Sequence, residues 1–202
     1  MVTNWNGELY ISLAVIFFSI IGSFFILRLD WKKYGLLYVL SAFVGNVLCY
    51  IFVTIGFYTF PNRFFPNITS MPILTVSTAF PFLVLFGVHY SPELWKWKIP
   101  FYWTLVHIGV FAETFVLSRT DLIQYTFKWD LFDSYSWWWI YLLLFEWVGN
   151  LIIPNNIRRP IPVETFYFGR LGWGFVHFVL IVTIFLAGYY LGVLNSEPYD
   201  FP

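Results

Sequence analysis

Two carboxylates lie in this chain where hydrocarbon belongs. Glu113 sits inside the apolar stretch from Trp103 to Ser118, and Glu146 inside the stretch from Ser136 to Asn150. An ionisable side chain in a membrane helix is costly, and it is ordinarily paired, turned inward and tied to a substrate or ion path. A carboxyl group desolvated in an apolar site can stay protonated at neutral pH and then acts as a general acid or a proton carrier. Glu113 and Glu146 are therefore the candidate catalytic residues.

Helical spacing gathers further polar groups around them. Glu146 and Asn150 are four apart and share a face. Gly109, four before Glu113, leaves room beside that carboxylate, whereas His107 points about 120° off the same stripe. Arg170, Gly174 and His177 fall at i, i+4 and i+7, and a mid-membrane imidazole such as His177 ordinarily has a polar partner. Asn46 stands in the middle of an uncharged run, placed to hydrogen-bond a neighbouring helix. With ring faces from Trp139 and Trp147, the candidate substrate-binding set is His107, His177, Asn46, Asn150, Trp139, Trp147 and Arg170.

The elements that must position these residues follow from composition. Of 202 residues, 59% are hydrophobic, 25% aromatic and only 11% charged, against roughly a quarter charged in globular domains. Charges collect in short clusters, and the uncharged runs between them are long enough to be membrane helices. The expected fold is all-α: one transmembrane domain over 1–202, a bundle of six helices at about 9–29, 34–57, 71–90, 100–118, 136–153 and 170–194. The stretch 119–133 is too polar to span and too aromatic for a plain linker, and reads as a segment lying at the interface or folded back over the bundle mouth. Pro81, after Phe80, should kink the third helix. Trp31 with Lys32 and Lys33, and Trp95 and Trp97 with Lys96 and Lys98, read as interfacial belts. Glu8 precedes the first run and no basic segment does, so that run is expected to be a retained helix rather than a signal peptide.

Orientation follows from the cations. Arg28, Lys32, Lys33, Lys96, Lys98, Arg158, Arg159 and Arg170 fall in or beside the odd-numbered loops, against Arg63, Arg119 and Lys128 in the even ones. Cytoplasmic loops carry the excess of Lys and Arg, which places both termini outside. The fourth helix then runs outward and the fifth inward, bringing Glu113 and Glu146 to within about one or two turns in depth, so that they share one pocket bounded by helices 2, 4, 5 and 6.

Several classes are excluded. Eleven Lys plus Arg balance eleven Asp plus Glu, so no polyanion such as nucleic acid is implied as a partner. Cys49 is alone, which excludes a disulfide framework and a cysteine-based metal site. There is no His-Glu-x-x-His, no Gly-rich phosphate loop and no Gly-x-Ser-x-Gly elbow, so neither a metal nor any other cofactor is expected.

Taken in order, Asp30-Trp-Lys-Lys-Tyr34, Phe64-Phe-Pro66, Phe80-Pro81, Ala112-Glu113, Lys128-Trp129 and Ser136-Trp-Trp-Trp139 resemble a family of small, uncharacterised multi-spanning membrane proteins of Gram-positive spore-forming bacteria. The resemblance covers roughly residues 28 to 150 and implies no activity. Glu113 followed by Trp129-Asp130 is also similar in layout to fungal membrane-integral terpenoid cyclases, which place acidic residues in a helical bundle of generally seven spans.

Three function classes use these parts. The leading one is a membrane-embedded enzyme doing acid/base chemistry on a lipid-soluble, isoprenoid-like substrate, a cyclase or isomerase, with Glu113 and Glu146 as proton donors and rings such as Trp137, Trp138, Trp139, Phe145 and Trp147 steadying cationic character. A proton- or cation-coupled transporter or channel would use the carboxylates and histidines as a relay. A scaffold subunit would use them only to specify packing. Membrane lipid is the expected partner in all three.

Overall fold

The computed structural model describes residues 7–162 and, beyond them, 164, 177, 178, 181, 183–185, 188 and 192. The chain divides into two compact units, residues 1–161 and 162–202. In the first, five helices run α1 (Gly7–Leu27), α2 (Trp31–Ile55), α3 (Ile73–Tyr90), α4 (Trp95–Arg119) and α5 (Leu131–Ile152), with two-residue strands β1 (Tyr58–Thr59) and β2 (Gln124–Tyr125). In the second, every described position from His177 to Gly192 is helical, as expected for the sixth helix. The fold is all-α in character, and α1 to α4 are each long and apolar enough to cross a membrane.

Local signals set the helix bounds, and several correct the expected ones. Asp30 accepts from Lys33 N at 3.1 Å, so α2 begins at Trp31 rather than Tyr34. Gly56 ends α2 in the left-handed region, φ 82°, where a Cβ is disfavoured, and Phe57 N reaches back to Phe52 O. Asp130 and Asp133 form a reciprocal capping box, which starts α5 at Leu131 rather than Ser136. The belt Trp95-Lys-Trp-Lys98 is not a loop but the opening turn of α4, with Pro100 inside the helix.

Helix α3 is the hub, packing on α1, α2 and α5 and more lightly on α4. Pro81 lies buried within it. Having no N–H, it frees the carbonyl of Ser77, and Tyr38 Oη of α2 donates to that oxygen at 2.8 Å. Asn46 Nδ2 donates to Ser77 Oγ at 2.8 Å, the interhelical bond expected of it. At the far end of the same helix pair, Tyr34 Oη and His89 Nδ1 are 2.6 Å apart and buried.

Small residues set the spacing of other helices. Ser12, Ser19 and Ser23 lie on the buried face of α1, while Phe17 and Phe18 are 60% and 69% exposed. This is inside-out relative to a water-soluble helix, because lipid gives no reason to hide phenylalanine and close helix approach favours small residues. Gly149 of α5 meets Val88 of α3, where an added Cβ would lie 2.6 Å from Val88 Cγ1.

The two ends of this unit differ. At one, β1 pairs antiparallel with β2, Tyr58 opposite Tyr125, so the stretch 119–133 is a strap that leaves α4, is tied to β1 and runs into the start of α5. Glu8 fastens the same end, accepting from Asn62 Nδ2 at 2.5 Å and from Asp121 N at 3.0 Å. At the other end, Arg159 N donates to His89 O at 2.9 Å, joining the segment after α5 to α3.

Gly149→Ala should lower stability by about 1–3 kcal/mol through overpacking against buried Val88. Combination with Val88→Ala should recover part of that loss, as read by thermal unfolding in detergent.

Candidate functional site

The two carboxylates are held at opposite ends of α5. Glu113 accepts from Trp138 Nε1 at 2.8 Å on one oxygen, and from Tyr125 Oη at 2.7 Å and Ser134 Oγ at 2.9 Å on the other. Glu146 pairs with Lys98 Nζ and accepts from Tyr102 Oη at 2.6 Å and Asn150 Nδ2 at 3.2 Å, with Arg158 Nη1 at 3.4 Å. The two partner sets share no residue. Trp138 and Glu146 are separated by about 12 Å of helix rise, so the expectation of one common pocket is corrected: there are two sites.

The first site opens on a cavity of about 420 Å³ contributed by all five helices. Aliphatic and aromatic side chains wall it together, with Phe80 stacked on Trp138 at 4.9 Å and Phe52 edge-on to Trp137 at 4.8 Å. Gly109 faces the Trp138 ring, where an added Cβ would lie 3.1 Å away, so its small size admits the indole that reaches Glu113. Trp129, buried, closes the strap end against Phe52 and Phe57 and donates to Ser134 Oγ at 2.8 Å. Donors therefore run Trp129 to Ser134 to Glu113. Burial first, and then the negative charge of Glu113, push the Tyr125 phenol above its ordinary value, so it remains a proton donor to the carboxylate. Arg63 also lines the cavity, but its guanidinium donates to the backbone oxygens of Thr69 and Phe60 at 2.6 Å each and of Pro66 at 3.2 Å. Glu113 is thus the only carboxylate in the wall among the described residues.

The second site is a packed ionic knot. Glu146 is 0% exposed and Lys98 5%. A buried carboxylate with this many donors is stable only as a set, because removing one member strands a charge.

The other expected residues fall as follows. Asn46 links α2 to α3 and lies outside the cavity wall. His107 Nδ1 lies 2.8 Å from Trp103 O, and its ring packs on Tyr135, away from Glu113 as the spacing indicated. Asn150 belongs to the Glu146 knot. Trp147 is 58% exposed, and Trp137 and Trp138, rather than Trp139, wall the cavity. His177 lies on a helical stretch of the second unit, and Arg170 is outside the described residues. Cys49 is a buried core residue packed beside Val76. Among the described residues no group of His, Cys, Asp and Glu has a metal-holding arrangement.

Sequence reasoning missed Ser134, Tyr125, Lys98 and Arg158. A signal for Lys98 existed: a cation in the first turn of a helix opposes the macrodipole and calls for a counter-charge, and Tyr102 follows it at i+4 on the same face.

Glu146→Ala should cost about 3–5 kcal/mol by stranding Lys98 and Arg158. Lys98→Met with Glu146→Gln should be less damaging than Glu146→Ala alone, as measured by detergent melting curves of the wild type and the two variants. No protein-family model matches the chain, and comparison with curated proteins and with solved structures likewise returns no match.

Proposed function

We propose that the protein is a multi-pass membrane enzyme with six spans and both termini outside, which holds a lipid-soluble, isoprenoid-like molecule in the aromatic cavity and exchanges a proton with it through Glu113. The observation that carries this reading is an apolar cavity of about 420 Å³, with several aromatic rings and one carboxylate held in its wall by three donors. Small-molecule sites have this size and character, mostly apolar with a few fixed polar groups. Four helices apolar enough to cross a membrane, with large apolar side chains exposed on their outer faces, support the location. The gathering of Lys32, Lys33, Lys98, Arg158 and Arg159 toward one end supports the orientation.

The chemistry requires no added reagent. Glu113 in its acid form gives its proton to one alkene carbon and leaves a carbocation on the neighbouring carbon, which the faces of Trp137, Trp138 and Phe80 steady. Loss of a proton from an adjacent carbon back to the carboxylate yields a shifted or cyclised alkene and restores the acid. Trp138 and Tyr125 fix the carboxyl group in place throughout. The acidic-helix layout similar to that of fungal terpenoid cyclases points to the same reaction class.

Glu146 supports a different reading, that of an internal tie, since it is fully buried and its oxygens are engaged by Lys98, Tyr102, Asn150 and Arg158. We therefore assign acid/base work to Glu113 and a structural role to Glu146.

Expression of the wild-type chain in a bacterial host should change the extracted isoprenoid lipids. Glu113→Gln should reduce that change by about 10²–10⁴-fold while the protein still elutes as a monodisperse species. An unaltered lipid profile, or Glu113→Gln acting like wild type, would sink the proposal. Proteoliposome flux that depends on Glu113 would favour transport instead.

A further inference from the structure

A second, polar cavity of about 210 Å³ lies at the opposite end of the first unit, lined by residues that include Ser91, Glu93, Trp95, Lys98, Asn150 and Arg158. The Glu113 chemistry makes no use of it. Two buried cations converge beside it, Lys98 from α4 and Arg158 from the segment after α5, with side chains 6% and 4% exposed. Both are directed to the single carboxylate of Glu146, which is already taken by Lys98, Tyr102 and Asn150. One buried negative charge therefore faces two buried positive ones.

The unbalanced charge is on Arg158. Its Nε donates to Ile153 O at 3.2 Å and its Nη1 makes the long contact to Glu146, but among the described residues its buried Nη2 has no hydrogen-bond partner. A buried guanidinium N–H without an acceptor is unfavourable, and charged donors are normally satisfied when desolvated. The planar fork of arginine matches the oxygens of a phosphate better than any neutral acceptor. Around it stand the side-chain amides of Asn155 and of Asn150, which also donates to Glu146, and the start of helix α4, where Trp97 N and Lys98 N bond Leu94 O and the N–H groups of Trp95 and Lys96 precede the helical ladder. Glu93, exposed at the rim, opposes an anion there, and water weakens that repulsion without removing it.

We propose that this cavity binds a phosphate group, carried by a lipid headgroup or free in solution, with Arg158 as the principal contact and Lys98 as the supporting charge. The cavity sits beside Trp95, Lys96 and Trp97, residue types that belong at headgroup depth when α4 crosses a bilayer. This places a phospholipid phosphate within reach, and it is independent of the chemistry at Glu113.

The test uses the full chain purified in a non-ionic detergent, with its melting temperature followed against four probes: inorganic phosphate, sodium chloride at equal ionic strength, dioctanoyl phosphatidic acid and dioctanoylglycerol. Phosphate and phosphatidic acid should each give a saturable upward shift, and chloride and dioctanoylglycerol none. Half-saturation by phosphatidic acid at a tenfold lower concentration than phosphate identifies a lipid headgroup, and similar values identify free phosphate. Arg158→Gln should weaken either probe by about 10–100-fold. Should that variant fail to fold, Glu93→Gln, an exposed change, should tighten binding severalfold. No saturable shift in the wild type, undiminished binding by Arg158→Gln, or no effect of Glu93→Gln would each overturn the proposal.

Discussion

A charge removed from water must find its partners inside the protein, and this constraint shapes both ends of α5. The helix carries Trp138 and Ser134 to one carboxylate near its start and Glu146 to two cations near its finish. The first arrangement uses neutral donors and stands at the wall of a cavity. The second uses opposite charges and is almost sealed. Neutral donors leave a carboxyl group able to change its proton count without stranding a counter-ion, whereas an ion pair with buried lysine does not. The same residue type is thereby given two different jobs by its surroundings.

The constraint also explains why the strap between α4 and α5 is folded rather than loose. Tyr125 must reach Glu113, and Trp129 must reach Ser134, so the intervening chain is pulled back across the bundle end and registered there by β1. Thr126 completes the fastening by donating to Gly56 O at 2.7 Å, at the left-handed turn that ends α2. A loop residue, a helix terminus and a buried acid are thus parts of one hydrogen-bonded unit.

Much of the architecture was legible in the sequence. Uncharged runs gave the helices, and Glu113 and Glu146 stood out as the ionisable groups in the wrong solvent. What was not legible came from residues with two ordinary uses. Lys98 sits among tryptophans and lysines that match an interfacial belt, and nothing local tells a snorkelling lysine from one that turns inward. Ser134 and Tyr125 are common residues in a polar stretch, and only the return of the strap brings them to Glu113. The expectation of a shared pocket fails because the cap at Asp130 starts α5 at Leu131 rather than Ser136, which sets Glu146 deeper along that helix than the spacing from Ser136 implies. Trp137, Trp138, Trp139 and Trp147 belong to one aromatic run, and only the face that α5 turns to α2 and α3 selects Trp137 and Trp138 for the cavity wall.

The substitution of Tyr38 for the donor that Pro81 lacks has a mechanical meaning. Together with Asn46 on Ser77 and Tyr34 on His89, it rivets α2 to α3 at three levels. Sliding one helix past the other by a turn, about 5.4 Å, would break all three bonds at once and leave a naked carbonyl in an apolar layer. The pair is therefore a stiff strut, and α1, α4 and α5 lean on it through α3.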